Sequence, residues 1–213
     1  MMQLYYFPGA CSLADHIVLE WIGVPYEIVR MDRNSIKTPD YLARNPTGAV
    51  PLLIDGDLHL TQNAAILWYL ADRYSAAHLL GEPTPAGRAE LMRWLSLLNS
   101  DLHPAFKPIF SPTRFLADPA RADEVAAAGR DSVRKYLAIL DARLDGRDWL
   151  VDQRSVADPY LFVMLRWAVR LNVGLKSYPH LSRFLERMYS DPSVRKAVVE
   201  EEGEASEYAR AAI

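Results

Sequence analysis

The stretch Pro8-Gly9-Ala10-Cys11-Ser12 sets a cysteine between a strand pattern and a helix pattern. Unpaired N–H groups and the dipole at a helix start favour an anion. The position is therefore expected to lower a thiol pKa below its free value of about 8.5. The competing reading is a buried, inert cysteine. A dithiol cycle is excluded: the Cys-x-x-Cys motif needs a second cysteine, and Ala14 stands at that place in a chain with one cysteine. Any redox cycle through Cys11 would need an external thiol.

Three more segments could serve a ligand. In Gly48-Ala49-Val50-Pro51, proline precedes or opens a strand, where it is tolerated at ends and edges. A cis Val50-Pro51 bond would leave the Val50 N–H and C=O free to pair with an extended peptide. Local sequence favours trans, since only about 5–6% of X–Pro bonds are cis. Thr61-Gln62-Asn63 opens a helix after a strand, which suits either a bound carboxylate or simple N-capping. Ser96, Asn99, Ser100 and His103 fall on one helical stripe, with Lys107 a turn further on. That stripe reads as a solvated face or as one wall of a cleft between domains. Pro104 and Pro108 are expected to bias His103 and Lys107 away from α geometry and to kink the helix.

The elements that must position these groups follow from pattern. Leu4 to Phe7 reads as a strand stopped by Pro8-Gly9. Ala14, Ile17, Val18 and Trp21 have helical spacing, and Gly23 then Pro25 end that helix. Tyr26 to Met31 is a second strand, completing a βαβ unit. A loop with a short helix over Pro39 to Arg44 leads to strands at Val50 to Ile54 and Leu58 to Leu60, joined by the turn Asp55-Gly56-Asp57. A helix runs from Asn63 to about Tyr74. Gly81-Glu82-Pro83-Thr84-Pro85 reads as a linker.

Beyond it the patterns are helical: a Leu91, Trp94, Leu95, Leu98, Leu102 face, a long stretch from Ala120 to Leu144, and an apolar core helix from Pro159 to Leu171. Ser155-Val156-Ala157-Asp158 resembles a capping box with Asp at its third helical position. Two helices follow, near His180 to Tyr189 and Ser193 to Glu201, and the last dozen residues are expected to fray. The expected domains are 1–78, α/β, a linker over 79–86, and 87–213, all-α.

Bulk properties narrow the function classes. With 213 residues, half of them hydrophobic, the chain can build two small cores. A net charge of −3 gives no basic footprint for nucleic acid. No apolar run approaches the ~20 residues needed to span a bilayer, and the start lacks the basic region of a signal peptide. A single cysteine fits a reducing, cytoplasmic setting. The other histidines, His16, His59, His78 and His180, form no close ligand set by spacing, so no metal is expected.

Taken together, the motifs resemble the glutathione transferase family, most nearly its bacterial beta class. They are Tyr6 with Pro8 to Leu13, Asn45 to Pro51, and Ala157-Asp158-Pro159-Tyr160-Leu161-Phe162 with Leu165 to Ala168. The resemblance covers most of the chain, in order. It implies a thioredoxin-like N-terminal domain with a mixed four-stranded sheet, then an all-helical domain. It implies a cis Val50-Pro51 bond, with Val50 pairing to the cysteinyl unit of glutathione. It gives Gln62 and Asn63 the γ-glutamyl end, and Lys37 the glycyl carboxylate.

The same resemblance puts Cys11, with Ser12, beside the glutathione sulfur and His103 across from it, with Tyr6, Ser96 and Ser100 in the same site. Phe7, Phe110 and Phe115 read either as the lining of an electrophile pocket, with the C-terminal tail near it, or equally as core. The implied partners are glutathione as co-substrate, a small apolar electrophile and a second copy of the chain. The implied activity is conjugation of glutathione. Disulfide reduction through a Cys11 mixed disulfide, or ligand binding alone, are the alternatives. Gln62 stands where Glu is commoner, Asn63 where Ser or Thr is, Ser96 where Asn is often found, and Pro104 where Lys is.

Overall fold

The computed structural model describes residues 1–116 and 118–203. The chain divides into two compact units, one of Met1–Leu80 together with the residues from Glu186 on, and one of Gly81–Leu185. In chain order the elements are β1 (Met2–Tyr6), α1 (Ser12–Ile22), β2 (Tyr26–Arg30), α2 (Pro39–Arg44), β3 (Leu52–Asp55), β4 (Leu58–Thr61) and α3 (Asn63–Arg73). Then come α4 (Pro85–Ser96), a π-helical turn over Leu97–Leu102, α5 (His103–Ala105), α6 (Lys107–Phe110) and α7 (Ala122–Arg143). The last are α8 (Ala157–Arg170), α9 (Pro179–Ser190), which contains the boundary between the units, and α10 (Pro192–Glu202).

The first unit holds a four-stranded mixed sheet in the order β2-β1-β3-β4. β1 runs parallel to β2 and antiparallel to β3, and β3 is antiparallel to β4. Strand period sorts the side chains. The cross-strand pair Leu4 and Leu53 is fully buried, as are Leu13, Ile17 and Val18 of α1 and Ile66, Leu67 and Leu70 of α3. The neighbouring pair, Tyr5 and Leu52, forms a second core with Met31 and with Tyr41 of α2.

Helix α10 was expected within the all-helical domain, and it instead packs along α1 in the first unit. Polar anchors set that contact. Asp191 caps α10 through the N–H groups of Ser193 and Val194, and its other oxygen accepts from Trp21 Nε1 at 3.2 Å. At the far end Glu201 Oε1 lies 3.1 Å from His16 Nδ1, both buried.

In the second unit, Leu91, Trp94, Leu95, Leu98 and Leu102 are buried as one stripe. Residues Ala157 to Ala168 of α8 are all buried. The capping box forms: Asp158 Oδ2 accepts from Ser155 N–H at 2.7 Å and Ser155 Oγ at 2.9 Å, while Ser155 Oγ accepts from Ala157 N–H at 3.4 Å. Asp158 Oδ1 also accepts from Leu150 N–H at 3.0 Å, fixing the loop ahead of the helix. Among the described residues no helix is long and apolar enough to cross a membrane. The fraying expected of the last dozen residues, and the tail expected near a pocket, fall mainly on 204–213, outside the described residues.

Candidate functional site

In the first unit, the turn after β1 delivers Cys11 to the start of α1. Gly9 takes a φ of 70°, and Ala10 N–H bonds Phe7 O at 3.0 Å. Cys11 is the N-cap residue, half-buried and not in a disulfide, and its side chain makes no capping bond. The expected fall in thiol pKa does not occur. Burial pushes the Cys11 thiol up to about 12, the Asp15 carboxylate adds to the rise, and the Cys11 and Ser12 N–H groups oppose it only in part. The helix start is real, but desolvation outweighs its dipole. Ser12 is buried, and its Oγ has no hydrogen-bond partner among the described residues. Tyr6 is also buried, its ring tilted against His16 at 6.5 Å.

The loop before β3 is built around one carbonyl. Ala49 O accepts from Tyr41 Oη and from Asn45 Nδ2, each at 2.6 Å. Asn45 Oδ1 in turn accepts from Thr47 N–H at 3.1 Å and Thr47 Oγ1 at 2.6 Å. Gly48 has a φ of +58°, and a Cβ there would stand 3.3 Å from both Ile36 O and Leu42 Cδ2. The Val50-Pro51 bond is cis, against the local expectation and in line with the resemblance. Val50 lies outside the strand, which starts at Leu52. Lys37 is exposed on a short 3₁₀ turn, Ser35–Lys37.

Gln62 precedes α3 with a φ of 73°, rare for a residue with a side chain. It is exposed and offers no side-chain cap, so the first N–H groups of α3 are uncapped by a side chain. Asn63 behaves differently. It is buried, and with its amide oriented to donate it bonds Cys11 O at 2.8 Å and Asp15 Oδ2 at 3.0 Å. Asn63 therefore ties the start of α3 to the start of α1.

In the second unit, the Ser96–His103 stripe does not stay whole. The π turn closes with His103 N–H on Leu98 O, an i to i−5 bond that rotates the chain relative to a straight α-helix. Ser96, Ser100 and Lys107 are exposed, while Asn99 and His103 are half-buried. His103 keeps right-handed helical angles, φ −59° and ψ −48°, despite Pro104. Lys107 is helical as well, as the first residue of α6. The expected departure from α geometry thus lies upstream of the prolines, in the π turn.

His103 Nδ1 lies 2.7 Å from Tyr160 Oη, and Tyr160 Oη donates to Asn99 Oδ1 at 3.3 Å. The His103 ring meets Trp167 at 4.9 Å and 64°. Burial, with Lys107 adding, lowers the His103 pKa to about 4, so the imidazole is neutral at pH 7. Phe106 and Phe110 set their rings edge-on to Trp167, at 5.5 and 5.2 Å. Of the three phenylalanines proposed for a pocket, Phe110 joins this aromatic group, Phe115 is 55% exposed, and Phe7 packs on the Tyr5–Tyr41 core of the first unit.

Sequence spacing missed two groupings. Tyr160 and Trp167 read only as core of an apolar helix, because their partner His103 is far away in sequence. His16 Nε2, Glu20 and Glu200 also converge, the first two four residues apart on α1 and the third from α10. Protein groups already serve that cluster. Lys196 Nζ bonds Glu20 at 2.7 Å, and Tyr26 Oη donates to Glu20 while lying 2.9 Å from His16 Nε2.

Comparison with known proteins bears on the family and the fold. Residues 1–72 match the family model of the glutathione S-transferase N-terminal domain, and residues 98–192 that of the C-terminal domain. The chain is 46% identical over 198 residues to glutathione S-transferase GST-4.5 of Xanthomonas campestris pv. campestris, covering 92% of this chain and 97% of that protein. A sphingomonad glutathione S-transferase solved in complex with glutathione superposes with a TM-score of 0.83 at 40% identity, covering 93% of this chain and 98% of the other. A bacterial beta class enzyme from Sphingomonas chungbukensis gives 0.84 at 36% identity, covering 94% and 99%. The two matched domains, the near full-length identity and the shared fold lead to one conclusion: the chain belongs to the glutathione S-transferase family.

Proposed function

We propose that this chain conjugates reduced glutathione to small, mostly apolar electrophiles, with Cys11 acting as a neutral hydrogen-bond donor to the glutathione sulfur. The observation that carries this reading is a single, unpaired Cys11 at the start of α1 in a chain with both glutathione S-transferase domains, its thiol pKa pushed up by burial and by the Asp15 carboxylate. Attack on a disulfide needs a thiolate, which such a thiol rarely supplies at neutral pH. A protonated thiol beside a second sulfur instead stabilises that sulfur as the anion. In the reaction the glutathione thiol gives up its proton to solvent water, its sulfur bonds the electrophilic carbon, and the leaving group departs with its electron pair.

Other features support the same use. The clamped Ala49 carbonyl holds the loop that carries Val50 ahead of an extended peptide. The uncapped start of α3 suits the γ-glutamyl carboxylate, with Gln62 beside it and Lys37 set for the glycyl carboxylate. In the second unit, His103, Ser96 and Ser100 are the residues proposed to serve glutathione. Phe110 and Phe115 offer apolar surface to the electrophile. The proposed working form is a cytoplasmic homodimer with no metal.

The test is Cys11→Ala, assayed with glutathione and a model aryl halide, and separately with a glutathione mixed disulfide. Loss of one hydrogen bond to a thiolate, about 1.5 kcal/mol, lowers conjugation roughly tenfold. Conjugation abolished together with disulfide reduction would overturn the neutral-donor reading.

A further inference from the structure

Asn63 opens α3, and its side chain is buried against the start of α1. One amide atom of Asn63 lies 2.8 Å from Cys11 O and 3.0 Å from Asp15 Oδ2. A backbone carbonyl can only accept, so that atom is the nitrogen, and its two hydrogens meet two acceptors. Cys11 O also accepts from Ala14 N–H at 3.0 Å, which uses its second lone pair. We infer that the Asn63 side chain serves Cys11 rather than the γ-glutamyl group: with Asp15 it forms a positioning pair that holds the Cys11 turn, and with it the thiol, in place. The inference rests on the proposed role of Cys11 at the glutathione sulfur.

The local chemistry favours this pair. Cys11 is the N-cap of α1 and its own side chain makes no capping bond, so its place depends on its backbone. The Asn63 amide grips that backbone from α3, and Cys11, Asp15 and Asn63 all belong to the first unit. Asn63 is 4% exposed, while Gln62 beside it is exposed. What position 63 can offer a γ-glutamyl carboxylate is its backbone N–H, at a helix start with no side-chain cap. Asp15 is fully buried, and its other oxygen, Oδ1, has no hydrogen-bond partner among the described residues. The Asn63 amide is thus the donor that supports Asp15, and each residue holds the other. Serine or threonine at position 63 would carry one donor hydrogen and could not serve both acceptors.

The experiment is steady-state kinetics with glutathione and an aryl halide, together with iodoacetamide labelling at pH 8, on the full-length protein. Cys11 is the one cysteine of the chain, so labelling reads it alone. Asn63→Ala frees the turn: kcat falls about tenfold, the KM for glutathione changes by less than about twofold, and labelling speeds up about tenfold. Asp15→Leu, which keeps the branched shape and loses the acceptor, gives the same pattern. Asp15→Asn, which keeps an oxygen for the Asn63 amide, stays within about twofold of wild type in all three readings. The two Asp15 variants carry the test where Asn63→Ala does not fold.

A KM for glutathione raised about tenfold with labelling unchanged would place the Asn63 side chain on the ligand and overturn the inference. So would kcat and labelling both unchanged in Asn63→Ala, or Asp15→Asn behaving like Asp15→Leu. Faster labelling with unchanged kcat would uphold the hold of Asn63 on Cys11. It would instead overturn the role given to Cys11 in conjugation.

Discussion

Gly129 lies in the middle of α7, where helix propensity alone favours alanine by about 1 kcal/mol. The packing argues the other way. A Cβ at position 129 would stand 2.9 Å from Ile109 Cγ1 and 3.1 Å from Pro108 Cβ, with Ile109 N at 3.5 Å. Neither close neighbour yields easily. Pro108 Cβ belongs to a ring fixed to its own backbone, and Ile109 is buried. Relief requires α6 to move by several tenths of an ångström, an overpacking cost of about 1–3 kcal/mol. Set against the propensity gain of about 1 kcal/mol, Gly129→Ala comes out destabilising by roughly 1 kcal/mol.

The reference is Ala128→Gly, an exposed neighbour on the same helix that reports propensity without a clash and costs about 1 kcal/mol. Thermal unfolding followed by tryptophan fluorescence reads both, at about 2–4 °C per kcal/mol for a chain of this size. The displacement also carries Phe110, whose ring lies 5.2 Å from Trp167, so the KM for the electrophile rises more than that for glutathione. A Gly129→Ala protein that melts 2–4 °C higher than wild type, as propensity alone would give, with unchanged kinetics, would refute this account of the α6–α7 contact.

Two further outcomes follow from the titratable groups. The unfolded chain protonates His103 near 6.5, the folded protein only near 4, so the proton prefers the unfolded state between those values. The stability linked to the neutral ring is complete above pH 6.5 and is lost as pH falls through 4, in total about 3 kcal/mol. His103→Gln lacks this component, so urea midpoints of variant and wild type converge or cross on going from pH 7 to pH 4, and parallel curves would contradict the buried neutral imidazole. For Cys11, iodoacetamide labelling of the folded protein is slow at pH 7 to 8 and keeps climbing past pH 10. A rate that levels off near pH 7 would show a thiolate and reopen disulfide exchange.

Much of the protein was written locally. β1, α1 and β2 were legible from short-range pattern, since strand period, helical spacing and the Gly23-Val24-Pro25 stop each act within a few residues. The Ser155–Asp158 box was legible for the same reason: its hydrogen bonds span three residues. Cys11 could be placed at a helix start from its neighbours, and Ala14 excluded a dithiol.

What the sequence could not decide is what depends on desolvation and on distant partners. The Cys11 pKa rises because burial outweighs the helix dipole, and burial is a property of the packed unit. Asn63 turns inward because α1 and α3 start side by side. Helix α10 lies along α1 because His16 and Glu201, 185 residues apart, meet in a buried pair. Tyr160 looked like one more apolar-helix residue, and only folding brings its hydroxyl to His103 across 57 positions of chain. Short-range geometry fixed where the reactive residues sit, and long-range packing fixed their protonation and hence what they can do.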